Sequence, residues 1–278
     1  MLKLLGDRPL GERDYYAVTH ALAQDPVASC MVAARVEDHG IHPRSLGGEL
    51  WSNDQPMSSL CFSGANLVPL FGTQDDVRIF AERAVRNPRA CSSIVGPSEL
   101  VMPLWEYTSE HWGPAREIRC SQPLLAMAAE PVIAGDPQVR RVRLDEIDAY
   151  LPAAVEMFIG EVGVDPCAGD GGRSYRRRIA GLINAGRAYA RFENGEVVFK
   201  AEIGALSRSV GQIQGVWVSP DKRGLGLGAS GTATVVEAIV AGGRTASLYV
   251  NSFNIAAREA YRRVGMHEVG TFATVLVD

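Results

Sequence analysis

Cysteine is scarce in this chain, and what there is does not pair. Cys30, Cys61, Cys91, Cys120 and Cys167 are odd in number, far apart and never spaced C-x-x-C. That excludes a disulfide framework and predicts reduced thiols in a cytoplasmic protein, most of them small core residues. No window approaches the roughly 18 consecutive apolar residues that a membrane span needs. The opening MLKLLGDRPLGERD turns polar after five residues, too soon for the core of a signal peptide. No polybasic run or basic–aromatic stripe occurs, and 28 basic against 32 acidic side chains leave a net charge of −4. Neither nucleic acid nor a membrane is therefore an expected partner. Gly-Lys-Ser/Thr is missing, which excludes a P-loop. His39-Gly-Ile-His42 finds no cysteine or acid to complete a zinc pattern, so it reads as a surface turn and no metal is expected.

With 278 residues, 46% of them hydrophobic, the chain can fill one large domain or two of about 130 residues each. Ala129-Glu-Pro-Val-Ile-Ala-Gly-Asp-Pro137 holds two prolines and a glycine that interrupt any regular element. It predicts two domains, 1–131 and 138–278. In the second, a strand is expected at 138–143 and helices at 145–161, with Pro152 as a blemish, and at 174–185. Strands follow at 188–192, 197–206 and 212–219, the first two joined by a hairpin at Asn194-Gly195, a pair that tolerates positive φ. A small-residue helix at 228–241, a strand at 246–251, a helix at 254–264 and a strand near 269–277 complete the half. The first half is less legible. Strands are expected over 59–70, 90–95 and 115–129, and helices over 75–86 and 98–112. Phe80-Ala-Glu-Arg-Ala-Val…Cys91-Ser-Ser-Ile-Val is spaced like Val235-Val-Glu-Ala-Ile-Val…Ala246-Ser-Leu-Tyr-Val, a weak sign of repetition that chance alternation also produces. The first half has no glycine loop.

That loop, Arg223-Gly-Leu-Gly-Leu-Gly-Ala-Ser-Gly231, supports three readings. Gly226, Gly228 and Gly231 spell the G-x-G-x-x-G of a dinucleotide site, which would make the chain a nicotinamide-dependent oxidoreductase. The context is wrong for it: Pro220–Arg223 separates strand from glycines, and the next strand closes on Asn251 instead of an acid. Arg223, Gly226 and Gly228 also spell R-x-x-G-x-G, a pyrophosphate seat. Pro220 ends the preceding strand, glycines 224, 226 and 228 let successive N–H groups converge on an anion, and a helix N-terminus adds partial positive charge. The third reading is a turn that binds nothing.

Val216-Trp-Val-Ser-Pro-Asp-Lys-Arg-Gly-Leu-Gly-Leu-Gly228 resembles the acyl-CoA motif of the GNAT superfamily of N-acetyltransferases. Asn254-Ile-Ala-Ala-Arg-Glu-Ala-Tyr-Arg-Arg-Val-Gly-Met266 is similar to the family's N-x-x-A-x-x-x-Y-x-x-x-G-F segment, with Met266 where phenylalanine is usual. The resemblance spans about 138–278. It implies an α/β GNAT acyl-CoA N-acyltransferase fold, with a mixed, largely antiparallel, splayed sheet flanked by helices, and the first domain as a possible degenerate copy without the CoA loop. It also implies an acyltransferase of the class moving groups other than amino-acyl groups, carrying acetyl from acetyl-CoA to a primary amine of a small molecule or protein. The rival is an acyl-CoA-binding or regulatory protein impaired in catalysis. A homodimer is left open.

By the same resemblance, the backbone of Val216, Trp217 and Val218 pairs with the pantetheine arm. The N–H groups of Arg223, Gly224, Leu225, Gly226, Leu227, Gly228 and Ala229 hold the pyrophosphate. Asn254 contacts the pantetheine or simply caps its helix. Tyr261 matches the general acid, and with an ordinary pKa near 10 it holds its proton at neutral pH; a core tyrosine is the plain alternative. Many relatives carry a base on the strand before the loop, where this chain offers Gln212 and Gln214. Glu202, on the strand before that, is the nearest plausible carboxylate, with a salt bridge to Lys200 as its alternative. Asp165 and Asp170 lie where relatives shape the amine site, or in a solvated loop. Arg176–Arg178 reads as a solvated helix face, and Trp105, Tyr107 and Trp112 as packing.

Overall fold

Apolar residues alternate along the strands of the first half, and the alternation puts a core on each face of a sheet. The computed structural model describes residues 9–53 and 58–278; the first eight positions of the stretch read against a signal peptide lie outside the described residues. The chain forms two compact units. One comprises Met1–Leu125, Tyr249–Phe253 and Glu268–Asp278, the other Ala126–Leu248 and Asn254–His267.

The first unit begins with α1 (Tyr15–Leu22), α2 (Cys30–His39) and α3 (Pro43–Leu46). Then come β1 (Gly48–Trp51), β2 (Leu60–Gly64), β3 (Leu67–Phe71), α4 (Gln74–Arg86), β4 (Ser93–Pro97), α5 (Ser98–Trp112) and β5 (Glu117–Met127). β1, β2 and β3 are antiparallel neighbours and β4 runs parallel to β3. Leu50, Leu60, Phe62, Val68 and Val95 face α1 and α2. Their neighbours Trp51, Cys61, Leu67 and Ile94 face α4 and α5, as period-two side chains must. The final strand of the chain, β11 (His267–Leu276), pairs antiparallel with β4 and lies between β4 and β5.

The second unit contains β6 (Arg140–Arg141), α6 (Ile147–Val162), α7 (Arg173–Asn184), β7 (Ala188–Glu193), β8 (Glu196–Leu206) and β9 (Val210–Val218). α8 (Leu227–Ala241), β10 (Thr245–Tyr249) and α9 (Ile255–Val264) follow. Its strands lie in the order β10-β9-β8-β7-β6, antiparallel except for the parallel pair β9–β10. α6 and α7 cover one face through Tyr150, Tyr175, Ile179 and Ile183. α8 covers the other so closely that a Cβ on Gly231 would fall 2.6 Å from the Phe199 ring. The Asn194-Gly195 turn has positive φ at both residues, 52° and 86°, as the hairpin reading requires. Pro152 lies inside α6 without ending it. The order strand-strand-strand-helix-strand-helix-strand occurs twice, once from β1 to β5 and once from β7 to β11. No helix among the described residues is long and apolar enough to cross a membrane.

Candidate acyl-CoA site

Two strands that begin as neighbours and then part set up the site. β9 and β10 pair only through Thr245–Val210, Ala246–Gly211 and Ser247–Gln212. Beyond Gln212, β9 bulges against β8: Glu202 lies opposite Gln214 and Lys200 opposite Trp217, so two residues of β9, Gly215 and Val216, stand against one of β8. Gly215 adopts φ +58°, the left-handed conformation that bulges often give to glycine. A bulge bends its strand and strengthens its twist, and here it falls just past the last rung shared with β10. At that rung Ser247 is fully buried, and its Oγ has no hydrogen-bond partner among the described residues.

The chain leaves β9 at Val218, makes a tight turn over Pro220–Lys222 and enters α8 through Gly226. Gly224 and Gly226 take φ of +78° and +88°, and nothing stands within 4 Å of a Cβ built on either. Backbone conformation, not crowding, is thus what calls for glycine there. At Gly228 an added Cβ would meet only Val218 Cγ2 at 3.7 Å and Ala260 Cβ at 3.9 Å. Arg223 donates from Nε to the Val218 carbonyl at 3.1 Å, tying loop to strand, and Leu225 is 70% exposed. No side chain caps α8, and its first turn holds no acidic residue. Ala229 and Ser230 donate their N–H groups to the Gly226 carbonyl at 3.0 and 3.1 Å, so the N–H groups before them and the positive end of the helix dipole are what an anion would meet. In α4, the corresponding helix of the first unit, Thr73 and Asp76 form a capping box and Asp75 adds a second carboxylate. That N-terminus is satisfied and negatively charged.

Val216, Trp217 and Val218 are half-buried, with Trp217 packed toward the α6–α7 core. Val218 also lies against the start of α8, where Ala260 on α9 joins it. Asn254 caps α9, its side chain accepting from Ala257 N at 3.1 Å. Tyr261, on α9, is buried. Burial raises its pKa, the charge of Glu161 raises it further, and the hydroxyl keeps its proton across the working range.

Glu202 stands opposite Gln214 at the β9 bulge. It is fully buried and accepts from Lys200 Nζ at 2.7 Å, Tyr150 Oη at 3.2 Å and Gln214 Nε2 at 3.2 Å. Arg178 stands 3.8 Å away from the solvent side. Burial pushes the carboxyl up, but Lys200 and Arg178 pull it below its ordinary value. It is a buried carboxylate whose ionised form its neighbours favour. Arg176, Arg177 and Arg178 are exposed, as a solvated helix face requires, and Arg178 also approaches this buried carboxylate. Asp165 and Asp170 are spent locally: Asp165 accepts from Cys167 N, and Asp170 from the Ser174 N–H and hydroxyl. Tyr150, Gly215 and Ser247 were not singled out from the sequence. A lone glycine inside a strand pattern, a common sign of a bulge, is the signal that could have found Gly215. Among the described residues no three His, Cys, Asp or Glu side chains are placed to hold a metal.

Known proteins resemble this one in two distinct ways. Residues 48–150 match the family described as "Domain of unknown function (DUF4081)", and residues 197–275 match the family of FR47-like proteins. No curated protein sequence matches significantly. A solved Drosophila protein superposes with a TM-score of 0.69 at 13% identity, over 97% of this chain and 98% of that one. An acetyltransferase from the GNAT family from Colwellia psychrerythraea gives 0.54 at 10%, over 93% and 97%. A GCN5-related N-acetyltransferase from Kribbella flavida gives 0.50 at 18%, over 89% and 96%. Taken with the strand fork, the bulge and the uncapped helix, these likenesses make the chain a GNAT-fold protein whose residues 197–275 are similar to FR47-like proteins.

Proposed function

We propose that residues 138–278, which take in the second unit and the last strand of the first, carry an acetyl-CoA-dependent N-acetyltransferase acting on a primary amine. The GNAT fold supports an acetyltransferase-like function. The observation that carries the reading is the junction of β9 and α8: two glycines at positive φ lead into an uncapped helix N-terminus, beside a strand whose partner has parted from it. Backbone N–H groups from Arg223 to Gly228 would hold the pyrophosphate, with Arg223 as countercharge and the Ala229 N–H kept by the Gly226 carbonyl, and β9 from Val216 to Val218 would accept the pantetheine as an added strand.

Acetyl-CoA supplies a thioester carbonyl already activated toward an amine. Tyr261, its proton held firmly by burial, is the group proposed to protonate the departing sulfur. Glu202, buried and held by three donors, is not the base in this proposal. β9 carries Gln212 and Gln214 where a carboxylate would serve, so the amine must arrive neutral or lose its proton to water. This last feature also favours the second reading, an acyl-CoA-binding protein with little catalysis. Thiol release from acetyl-CoA across a panel of amines separates the two. Turnover with at least one amine supports the enzyme, tight binding without turnover supports the binder, and no affinity for CoA defeats both.

A further inference from the structure

The first unit contains a cleft of about 620 Å³ between the C-terminal end of α4, the start of β4 and the ends of β1 and α5. That volume is in the range of small-molecule sites. Its lining is unusual in charge and shape. Arg83, Arg86 and Arg89 line it together with Trp51, Trp112 and Glu49. The Arg83 guanidinium lies over the Trp51 ring at 4.7 Å, and Arg89 lies over Trp112 at 5.8 Å. Glu49 accepts from Trp51 Nε1 at 2.9 Å and from Arg83 Nη2 at a long 3.4 Å. Nη1 of Arg83 is buried and has no hydrogen-bond partner among the described residues. A buried guanidinium donor left unmade is costly, and structures leave few of them. Arg86 pairs with Glu82 at 3.2 Å on the exposed side of α4. With Glu49 set against Arg83 and Glu82 against Arg86, Arg89 leaves the cleft one positive charge in excess.

We propose that this cleft binds a small organic oxyanion, a carboxylate or phosphate carried on a flat ring. The oxyanion would accept from Nη1 of Arg83 and from Arg89. The flat body would lie along the guanidinium and tryptophan planes, which favour stacking over hydration. The C-terminal end of α4 opposes an anion with about half a negative charge, which the one positive charge in excess outweighs. Trp112 thereby gains a purpose beyond packing: it holds Arg89 at the mouth. The site is independent of the acyl-CoA reading, because none of its residues comes from the second unit.

Tryptophan emission reports on it, since two of the four tryptophans line the cleft. The full chain is titrated with benzoate, phenyl phosphate, inorganic phosphate and, as the charge control, benzylamine. Saturable binding of benzoate or phenyl phosphate is expected, weaker binding of inorganic phosphate, and none of benzylamine; whichever aryl anion binds tighter identifies the head group. Arg83→Met should weaken the aryl anion at least tenfold. Arg89→Gln, at an exposed position where folding is not at risk, should weaken it severalfold. Absence of saturable binding by both aryl anions, benzylamine binding as well as benzoate, or unchanged affinity in Arg89→Gln would each overturn the assignment.

Discussion

Tyr261 and Glu202 were both polar residues on apolar elements, and the sequence offered each a catalytic role and a structural one. The structure separates them by surroundings. Both are buried, but Glu202 is held as a carboxylate by three donors, whereas burial stabilises the proton of Tyr261. Tyr261→Phe is therefore expected to lower turnover by about 10²–10⁴ with acetyl-CoA affinity and melting temperature little changed; a fall in affinity or stability instead would make the residue structural. Glu202→Gln should act oppositely, leaving Lys200 buried beside a neutral amide. Breaking a buried pair costs about 3–5 kcal/mol, so lost stability, not a selective loss of turnover, is the expected outcome. Glu146 gives a pH test. Hydrogen bonds from Arg140 hold its carboxyl down at about 2, against the opposing effect of burial, while an unfolded glutamate titrates near 4.3. A folded pKa below the unfolded one stabilises fully above the unfolded value and is lost as pH falls through the folded one. Glu146→Gln should thus melt below the wild type at pH 7, and the gap should close as the pH approaches 2. A gap that persists there would mean that packing, not charge, is responsible.

Elements were legible where local chemistry decides them. α5 begins and ends where the pattern placed it, 98–112. The Asn194-Gly195 hairpin follows from two residues that accept positive φ. α9 was read one residue early because its first residue, Asn254, is the cap. The opening helices α1 and α2 went unread: α2 buries Cys30, Val32, Ala33, Ala34 and Val36, too broad and small-sided a surface to show as a stripe. β6 is only Arg140–Arg141, because the expected strand pairs with β7 for just two residues. The fork between β9 and β10 was invisible for another reason: it depends on a bulge and a lost pairing, and no local propensity encodes either. The loop predicts its own test. Left-handed backbone costs an ordinary residue roughly 1–2 kcal/mol, and a β-branched one is a true outlier there. Gly226→Val should weaken acetyl-CoA at least tenfold while the chain stays folded. Gly231→Ala should leave the loop intact but destabilise by about 1–3 kcal/mol, because its methyl group would run into Phe199 in a packed core. Equal binding by wild type and Gly226→Val would reduce the loop to a turn.

At the scale of the whole molecule, one succession of elements appears twice with opposite electrostatic endings. α8 begins with glycine, no acid and no cap; α4 begins with a closed capping box and two aspartates. The weak repeat read from Phe80–Val95 and Val235–Val250 falls on these two helices and the strands that follow them. What the sequence could not register was that β11, last in the chain, packs with the first unit, since pairing across such a separation leaves no local trace. Two like topologies with only one receptive helix lead to a stoichiometry. Calorimetric titration of the full chain with acetyl-CoA, run beside folded Gly226→Val, should give one site per chain in the first and affinity lowered at least tenfold in the second. Two equivalent sites, no binding, or unchanged affinity in the variant would contradict the assignment of acyl-CoA to the β9–α8 junction.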